Sequence, residues 1–279
     1  MKRKVKTKVK GFRTTDGAGV KLVRVLGNLT TKEFDPILML DSFDSINPDD
    51  YTAGFPMHPH RGIETISYVS RGKMVHRDSL GNEAGISDGE VQWMNSGSGI
   101  MHEEMVPAAE RLLGVQLWLN LPAKDKMSKP SYNSIKNEDI KEIEIEGGKI
   151  RLLAGKYGEH EGYKGDYLSM DYYDIHLNAD AEVTLTMEED DSVMVFTLLG
   201  DVYIDGEHIE EKTAVKLTER DSLTIKNGNE KAQVLYMNSR ALNEPVAWAG
   251  PIVMNTQEEL QKAFLELRSN TFIKETAEY

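Results

Sequence analysis

The sequence predicts an all-β protein of two domains, each a β-barrel or β-sandwich, with one short helix near the C-terminus. The chain has 279 residues, more than the roughly 100 to 150 residues of a typical domain. Short runs rich in Val, Ile, Tyr and Thr are interrupted about every eight to twelve residues by Gly, Asp or Asn, which is the spacing of strands and turns in such folds. Helical periodicity is convincing only near the end of the chain.

The strand prediction is clearest in the second half and at the N-terminus. Asp205-Gly206 and Asn227-Gly228 are hairpin-turn signals. They separate predicted strands at 183–187, 193–199, 202–204, 223–225 and 233–237. Near the N-terminus, lysines alternate with Val5, Thr7 and Val9, and lysines commonly protect an exposed sheet edge. We therefore predict an edge strand whose wet face carries Lys4, Lys6, Lys8 and Lys10.

The helix prediction concerns the segment after residue 255. Thr256 and Glu259 have the spacing of a capping box, and Asn270 is a suitable end. Between them, apolar residues recur at helical spacing: Leu260, Ala263, Phe264 and Leu267. We expect this apolar stripe to pack against a sheet.

The two halves resemble diverged copies of one unit. In both copies a glycine turn precedes a strand, a second turn, and a strand that begins just after an aspartate. The matching segments are 71–78 with 88–93 in the first copy and 199–206 with 220–225 in the second. Prolines and lysines at 122–130 mark the end of the first copy. We expect an N-terminal barrel over residues 1–135 and a C-terminal barrel with the helix over residues 136–279.

Composition limits the classes of function. A formal net charge of −13 argues against direct binding of nucleic acid, which requires clustered Lys and Arg. No run approaches the roughly 18 apolar residues of a membrane span, and no apolar stretch follows the basic N-terminus as in a secretory signal. A cytoplasmic protein is therefore expected. Because the chain has no cysteine, histidines and carboxylates are its strong metal ligands.

Two pairs of side chains in the first half have metal-ligand spacing. His58 and His60 stand two residues apart, as do His102 and Glu104. This spacing places both members of a pair on one face of a strand, while Glu103 should face the other way. Three imidazoles and one carboxylate form an open shell that suits Fe(II), Mn or Ni, although zinc in a structural role is an alternative. We therefore predict one metal ion in the first barrel.

The remaining histidines are interpreted as ordinary. His76 lies outside both pairs and is expected to be structural, and His160, His176 and His208 are expected at surface or turn positions. The repeat places Thr186 and Val234 where the first copy has His58 and His102. Since neither residue is a metal ligand, the second barrel is predicted to hold no metal.

Four segments of the chain resemble the pirin family of the cupin superfamily. They are FPMHPHRGIET (55–65), QWMNSGSGIMHEEM (92–105), GVQLWLNLP (114–122) and GPIVMNT (250–256). The resemblance implies a bicupin with one Fe(II) bound by His58, His60, His102 and Glu104, although Mn, Ni, Cu or Zn could replace iron. In the general cupin pattern Glu64 would be a ligand. Here we expect it to orient Arg61 or a ligand imidazole, with direct coordination left open.

Similarity to pirins implies two functions of different kinds. Several prokaryotic pirins are similar to quercetin 2,3-dioxygenases, which cleave a flavonol with dioxygen. A planar aromatic substrate would then bind here, and Glu104 would be the candidate catalytic base. Animal pirins resemble transcription cofactors, so the alternative is a redox-sensing regulator that acts through a protein partner. A monomer is expected in either case.

Overall fold

A computed structural model describes residues 2–275 as two compact units whose regular secondary structure is almost entirely β-strand. The first unit contains residues 13–31, 37–136 and 242–275, and the second contains residues 2–12, 32–36 and 137–241. The all-β prediction is confirmed. No helix among the described residues is long and apolar enough to cross a membrane.

Twenty-six strands and one α-helix make up the regular structure of the described residues, together with 3-10 turns at Pro48–Asp50 and Ala123–Asp125. The first twelve strands are β1 (Val5–Lys10), β2 (Phe12–Asp16), β3 (Val20–Leu26), β4 (Ile37–Ser45), β5 (Phe55–His60), β6 (Ile63–Arg71), β7 (Lys73–Asp78), β8 (Glu83–Ser87), β9 (Glu90–Asn95), β10 (Ile100–Met105), β11 (Leu112–Asn120) and β12 (Ser131–Ile135). The others are β13 (Lys141–Ile145), β14 (Gly148–Ala154), β15 (Lys156–Tyr157), β16 (His160–Glu161), β17 (Met170–Leu177), β18 (Glu182–Thr186), β19 (Ser192–Leu199), β20 (Val202–Ile204), β21 (Glu207–Ile209), β22 (Thr213–Leu217), β23 (Ser222–Asn227), β24 (Ala232–Ser239), β25 (Ala247–Ala249) and β26 (Ile252–Met254), followed by α1 (Gln257–Arg268).

Each unit combines a seven-stranded sheet with a four-stranded one. In the first unit the orders are β12-β9-β6-β11-β4-β3-β2 and β5-β10-β7-β8, and in the second they are β1-β22-β19-β24-β17-β14-β13 and β18-β23-β20-β21. The repeated arrangement agrees with the internal repeat of the sequence. An apolar cluster fills the first unit beside its small sheet, and Phe43, Tyr51, Phe55 and Met74 belong to it.

The small sheet of the first unit brings its histidine-bearing strands together. Strand β10 lies between β5 and β7, antiparallel to both, and His102 is directly opposite His58 on β5 and Asp78 on β7. Because side chains alternate across a strand, the inward residues of these three strands converge on one interior region.

The second unit encloses an apolar core of its own, and its first strand is the predicted edge. Strand β1 pairs with β22 at the end of the large sheet, and lysines exposed to solvent alternate with half-buried residues along it. Charged residues on such a strand discourage pairing with another chain. The edge-strand prediction is therefore confirmed.

The ends of the chain pack differently from the expected continuous domains, 1–135 and 136–279. Strand β1 belongs to the second unit because it extends that unit's sheet beyond β22. Helix α1 belongs to the first unit because Leu260 and Ala263 pack on the β25–β26 ribbon. The helix itself agrees with the prediction: Thr256 and Glu259 form the capping box, and the apolar stripe faces a sheet.

Candidate metal centre

Three histidines of the first unit converge on one point. His58 and His60 project from β5, His102 projects from β10, and their ligand nitrogens all lie within 4.8 Å of one another. His60 and His102 are buried, and His58 is partly exposed. The two-residue spacing on one strand and the cross-strand pairing on the next produce this cluster, as the sequence predicted.

The spacing between these nitrogens fits a metal ion. Nε2 of His58 lies 3.1 Å from Nε2 of His60 and 3.0 Å from Nε2 of His102. Nitrogens bound about 2.1 Å from a metal are about 3.0 Å apart at adjacent octahedral positions and about 3.4 Å apart in a tetrahedron. The two separations are therefore short enough for the nitrogens to share one ion.

Hydrogen bonds fix two of the imidazoles with Nε2 free to bind metal. Nδ1 of His58 lies 2.8 Å from the Pro56 carbonyl oxygen, and Nδ1 of His60 lies 3.0 Å from that of Pro251. A carbonyl only accepts, so Nδ1 carries the proton in both rings and each Nε2 presents a lone pair. Lone pairs pointed at one another 3.1 Å apart suit a shared cation.

Burial keeps two of the candidate ligands, His60 and His102, neutral. It lowers the pKa of His60 to about 3, and the nearby His58 lowers it further while the Pro251 carbonyl opposes the shift. Burial and the neighbouring imidazoles also hold the pKa of His102 well below its usual value. Neutral imidazole is the form that binds a metal.

His76 makes contacts with Asp78 and His102 that the sequence did not indicate. It is fully buried, its Nε2 lies 2.9 Å from Asp78 Oδ2, and its Nδ1 lies 3.4 Å from Nδ1 of His102. Its ring stacks on Tyr132 with 4.0 Å between ring centroids. Burial raises the pKa of Asp78, but hydrogen bonds from His76 and Asn82 outweigh this effect and lower it overall. The pair of His76 and Asp78 two residues apart was the available signal.

Glu104 lies next to the cluster in sequence but outside the group of three converging nitrogens. Its carboxylate is buried and accepts hydrogen bonds from two glutamine amides, Gln92 Nε2 at Oε1 and Gln116 Nε2 at Oε2, the latter at 2.8 Å. Ser67 Oγ is 3.5 Å from Oε1. Glu103 faces the other way and pairs with Arg77 at 3.2 Å. Coordination by Glu104 stays a prediction.

Arg61 and Glu64, the expected neighbours of the ligands, are both buried. The Arg61 guanidinium donates to the carbonyl oxygens of Ser98 at 2.7 Å and Phe272 at 2.9 Å, and it pairs with Glu266 of α1 at 2.8 Å. Arg61 thus ties the strand that carries His60 to the C-terminal segment. The role of Glu64 stays a prediction.

The second unit has no comparable cluster among its described residues. His160 and His208 are exposed, and His176 on β17 is half-buried and bonded to Asp174 at 2.8 Å. Thr186 is exposed and Val234 is buried in the apolar core. The surface positions predicted for His160 and His208 agree with the structure.

A cavity of about 530 Å³ opens beside His58 and His60. This size falls within the usual range for small-molecule sites, which are largely apolar with a few polar groups. Trp118 packs edge-on against His60 with 4.9 Å between centroids, and Trp248 lies 5.5 Å from Trp118. Other lining residues are Met39, Phe55, Gln116, Asn28, Asp16, Arg24 and Asp41.

The charged side of this cavity is an ion-pair network that the sequence did not reveal. Arg24 donates to Asp41 through Nε at 2.9 Å and Nη2 at 2.7 Å, and Nη2 also lies 2.7 Å from Asp16. Burial raises the pKa of Asp41 although Arg24 opposes the shift. Burial also acts to raise the pKa of the more exposed Asp16, but hydrogen bonds from Arg24 and the Gly17 backbone N–H outweigh it and lower the pKa overall. The three residues belong to β2, β3 and β4, and no local motif links them.

Comparison with known proteins identifies close relatives. The family model described as "Pirin" matches residues 19–119, and that described as "Pirin C-terminal cupin domain" matches residues 172–273. A protein of Pseudomonas aeruginosa, provisionally named as a quercetin 2,3-dioxygenase, is 39% identical over 268 residues, which are 92% of this chain and 94% of that protein. Human pirin is 34% identical over 277 residues, with 96% and 93% covered.

A solved structure is similar along the whole chain. The crystal structure of quercetin 2,3-dioxygenase from Acinetobacter baumannii has a TM-score of 0.90 and 29% identity. The match covers 98% of this chain and 99% of that one. The two-cupin fold implied by the sequence is therefore confirmed.

Proposed function

We propose, from the premise that this chain belongs to the pirin family, that it is a metal-dependent dioxygenase acting on a planar aromatic compound of the flavonol class. The observation that carries the proposal is the convergence of three imidazoles beside an aromatic-walled cavity. The similarity to a quercetin 2,3-dioxygenase over nearly the whole chain supports the substrate class.

The metal is proposed to be one divalent ion per chain, with Fe(II) as the first choice and Mn, Ni, Cu or Zn as alternatives. His58, His60 and His102 would hold it through Nε2, and Glu104 is proposed as the fourth ligand. Such an ion would supply Lewis acidity and, if redox-active, electron transfer to dioxygen. The three converging imidazoles fit this role.

The cavity walls support an aromatic substrate. Trp118 and Trp248 offer flat apolar surfaces, and aromatic rings pack favourably on one another in offset or edge-on geometry. Asn28 and Gln116 offer polar groups for phenolic hydroxyls. In the proposed reaction both atoms of dioxygen enter the ring-opened product and carbon monoxide leaves.

Glu104 is proposed to accept the proton of a substrate hydroxyl. Both carboxylate oxygens already accept an amide hydrogen bond, from Gln92 at Oε1 and from Gln116 at Oε2. Gln116 lines the cavity, so a substrate that displaced its amide would expose Oε2. Each carboxylate oxygen has a second lone pair, and displacement of the Gln116 amide would open Oε2 further to the substrate proton while Gln92 still holds Oε1.

The test is oxygen uptake and carbon monoxide release with quercetin by Fe(II)-reconstituted protein, compared with an equal concentration of free Fe(II). We expect turnover by the wild type. At equal iron content, the turnover rate should fall at least about 100-fold in Glu104→Gln and should be unchanged in Glu103→Gln. The latter is a matched control, because Glu103 is the next residue on β10 and faces away.

Bound iron without turnover above the free ion would overturn the enzymatic proposal. It would favour the alternative, a redox-sensing regulator that acts through a protein partner. Equal activity of Glu104→Gln and the wild type would remove Glu104 as the base while leaving the dioxygenase proposal intact.

A further inference from the structure

We infer that His76 and Asp78 form a positioning pair that fixes the tautomer and ring orientation of His102. The inference rests on the proposed function only in taking His102 as a metal ligand, and it concerns metal binding rather than turnover. The pair lies on β7, the strand next to the one that carries His102.

Asp78 is held as a hydrogen-bond acceptor by the turn that follows β7. Oδ1 accepts from the backbone N–H groups of Leu80 at 2.9 Å and Asn82 at 3.1 Å. Oδ2 accepts from the Asn82 side-chain amide at 2.9 Å. Backbone N–H groups only donate, and the side chain of Asp78 is fully shielded from solvent. The carboxylate is therefore oriented before it meets His76.

Asp78 in turn decides which nitrogen of His76 carries the proton. Nε2 of His76 lies 2.9 Å from Asp78 Oδ2, so Nε2 is the donor. The ring cannot turn freely, because it is fully buried and stacks on Tyr132 with an 11° angle between the planes. In the neutral ring, Nδ1 is left with a lone pair, which is directed at His102.

His102 thereby has an acceptor for its Nδ1 proton, as His58 and His60 have in backbone carbonyl oxygens. Nδ1 of His102, 3.4 Å from Nδ1 of His76, is the donor of that contact, which leaves its Nε2 unprotonated. That Nε2 lies 3.0 Å from Nε2 of His58, within the cluster. All three candidate ligands are thus held with Nε2 free.

The hydrogen-bond acceptor of His102 differs chemically from the acceptors of His58 and His60. His58 and His60 donate to neutral, fixed carbonyl oxygens of Pro56 and Pro251. His102 donates to an imidazole that is backed by a carboxylate. Such partners raise the basicity of a ligand imidazole and stabilise the more highly charged state of the metal. We therefore expect the pair to influence both metal affinity and the reduction potential of bound iron.

The test compares two matched variants of the full chain. Asp78→Asn removes the charge behind His76. Asp174→Asn does the same to the pair of Asp174 and His176, which has the same two-residue spacing and a 2.8 Å contact but lies in the second unit. Co(II) affinity is measured by competition with a chromophoric chelator, and the Fe(III)/Fe(II) potential by spectroelectrochemistry. We expect Asp78→Asn to weaken Co(II) binding about 10- to 100-fold and to raise the potential, and Asp174→Asn to change neither.

A second variant guards against misfolding of the first. His76→Phe keeps a ring against Tyr132 and removes both nitrogens, so we expect the same loss of affinity. Wild-type affinity and potential in either folded variant would overturn the inference. If the wild type bound no Co(II), the proposed metal site itself would fail. Wild-type binding without quercetin turnover would refute only the dioxygenase.

Discussion

At the scale of single residues, burial and hydrogen bonding together set the state of each imidazole. His60 donates to the Pro251 carbonyl, and burial holds its pKa far below the ordinary value. Both effects keep Nε2 unprotonated near neutral pH. The same burial makes protonation of the folded, metal-free protein costly, and this has a measurable consequence for stability.

The metal-free protein is expected to lose stability as the pH falls below about 6.5. The pKa of His60 is about 3 when folded and has an ordinary value of 6.5, so between these values the unfolded chain binds one more proton. Stability is thus fully present above the unfolded pKa and falls by about 1.4 kcal/mol per pH unit for each such histidine. Urea unfolding in EDTA at several pH values measures this slope. In His60→Asn this slope should be smaller by the contribution of one proton, about 1.4 kcal/mol per pH unit. An unchanged slope would contradict the lowered pKa of His60.

The ion pair on the cavity wall gives a second prediction. The Asp41 carboxylate is buried, and Arg24 donates one hydrogen bond to each of its two oxygens. Arg24→Met leaves a buried carboxylate without this partner and should cost about 1–3 kcal/mol of unfolding free energy, discounted because Arg24 is partly exposed. In Arg24→Met/Asp41→Leu most of this loss should be recovered. A double variant as unstable as the sum of both single variants would show that the pair is not coupled.

At the scale of elements, the site depends on contact between β5 and the β25–β26 ribbon. The Pro251 carbonyl accepts from His60, and the backbone N–H of Val253 donates to the Arg61 carbonyl at 3.1 Å. Gly62 follows directly and has φ +78°, and a Cβ there would press against the Val253 carbonyl oxygen. The ribbon therefore lies against the backbone at a point where only glycine fits.

Gly62→Ala should displace the ribbon and weaken the site. Gly206→Ala is the matched control, because Gly206 has φ +79° and nothing within 4 Å of the added Cβ. Both variants carry a backbone cost of about 1 kcal/mol, so the difference between them isolates the ribbon contact. We expect Gly62→Ala alone to lower Co(II) affinity. Equal affinity in the two variants would show that the ribbon does not support His60.

Local chemistry explains which elements the sequence predicted. Thr256 and Glu259 form their capping box within one turn of helix, and the alternating lysines of β1 reflect one wet face. The convergence of His58 and His60 follows from the two-residue period of a strand. The contact of His76 with His102 spans 26 residues, and that of His60 with Pro251 spans 191. Such contacts depend on strand order, which local periodicity does not encode.

At the scale of the whole molecule, the N-terminal strand belongs to the second unit and the C-terminal segment belongs to the first. Residues 2–12 complete a sheet of the second unit, and residues 242–275 provide the ribbon and helix of the first. Trp248, which lines the cavity, and Pro251, which holds His60, both belong to this C-terminal segment. The first unit therefore needs residues that are distant in sequence.

A fragment of residues 1–136 should not reproduce the proposed metal site of the full chain. It lacks the carbonyl that accepts from His60 and the Glu266 carboxylate that pairs with buried Arg61. Removing one partner of a buried ion pair typically costs about 3–5 kcal/mol. Circular dichroism and Co(II) titration should show a less stable fragment with weaker binding. A cooperatively folded fragment with full-length affinity would contradict this account.

The central claim is that His58, His60 and His102 hold one metal ion, and metal analysis of anaerobically purified protein tests it most directly. The wild type would be compared with His102→Ala and with His208→Ala, which changes an exposed histidine of the second unit. The account predicts about one divalent ion per chain in the wild type and in His208→Ala, and little or none in His102→Ala. No metal in the wild type, or equal metal in all three proteins, would contradict it.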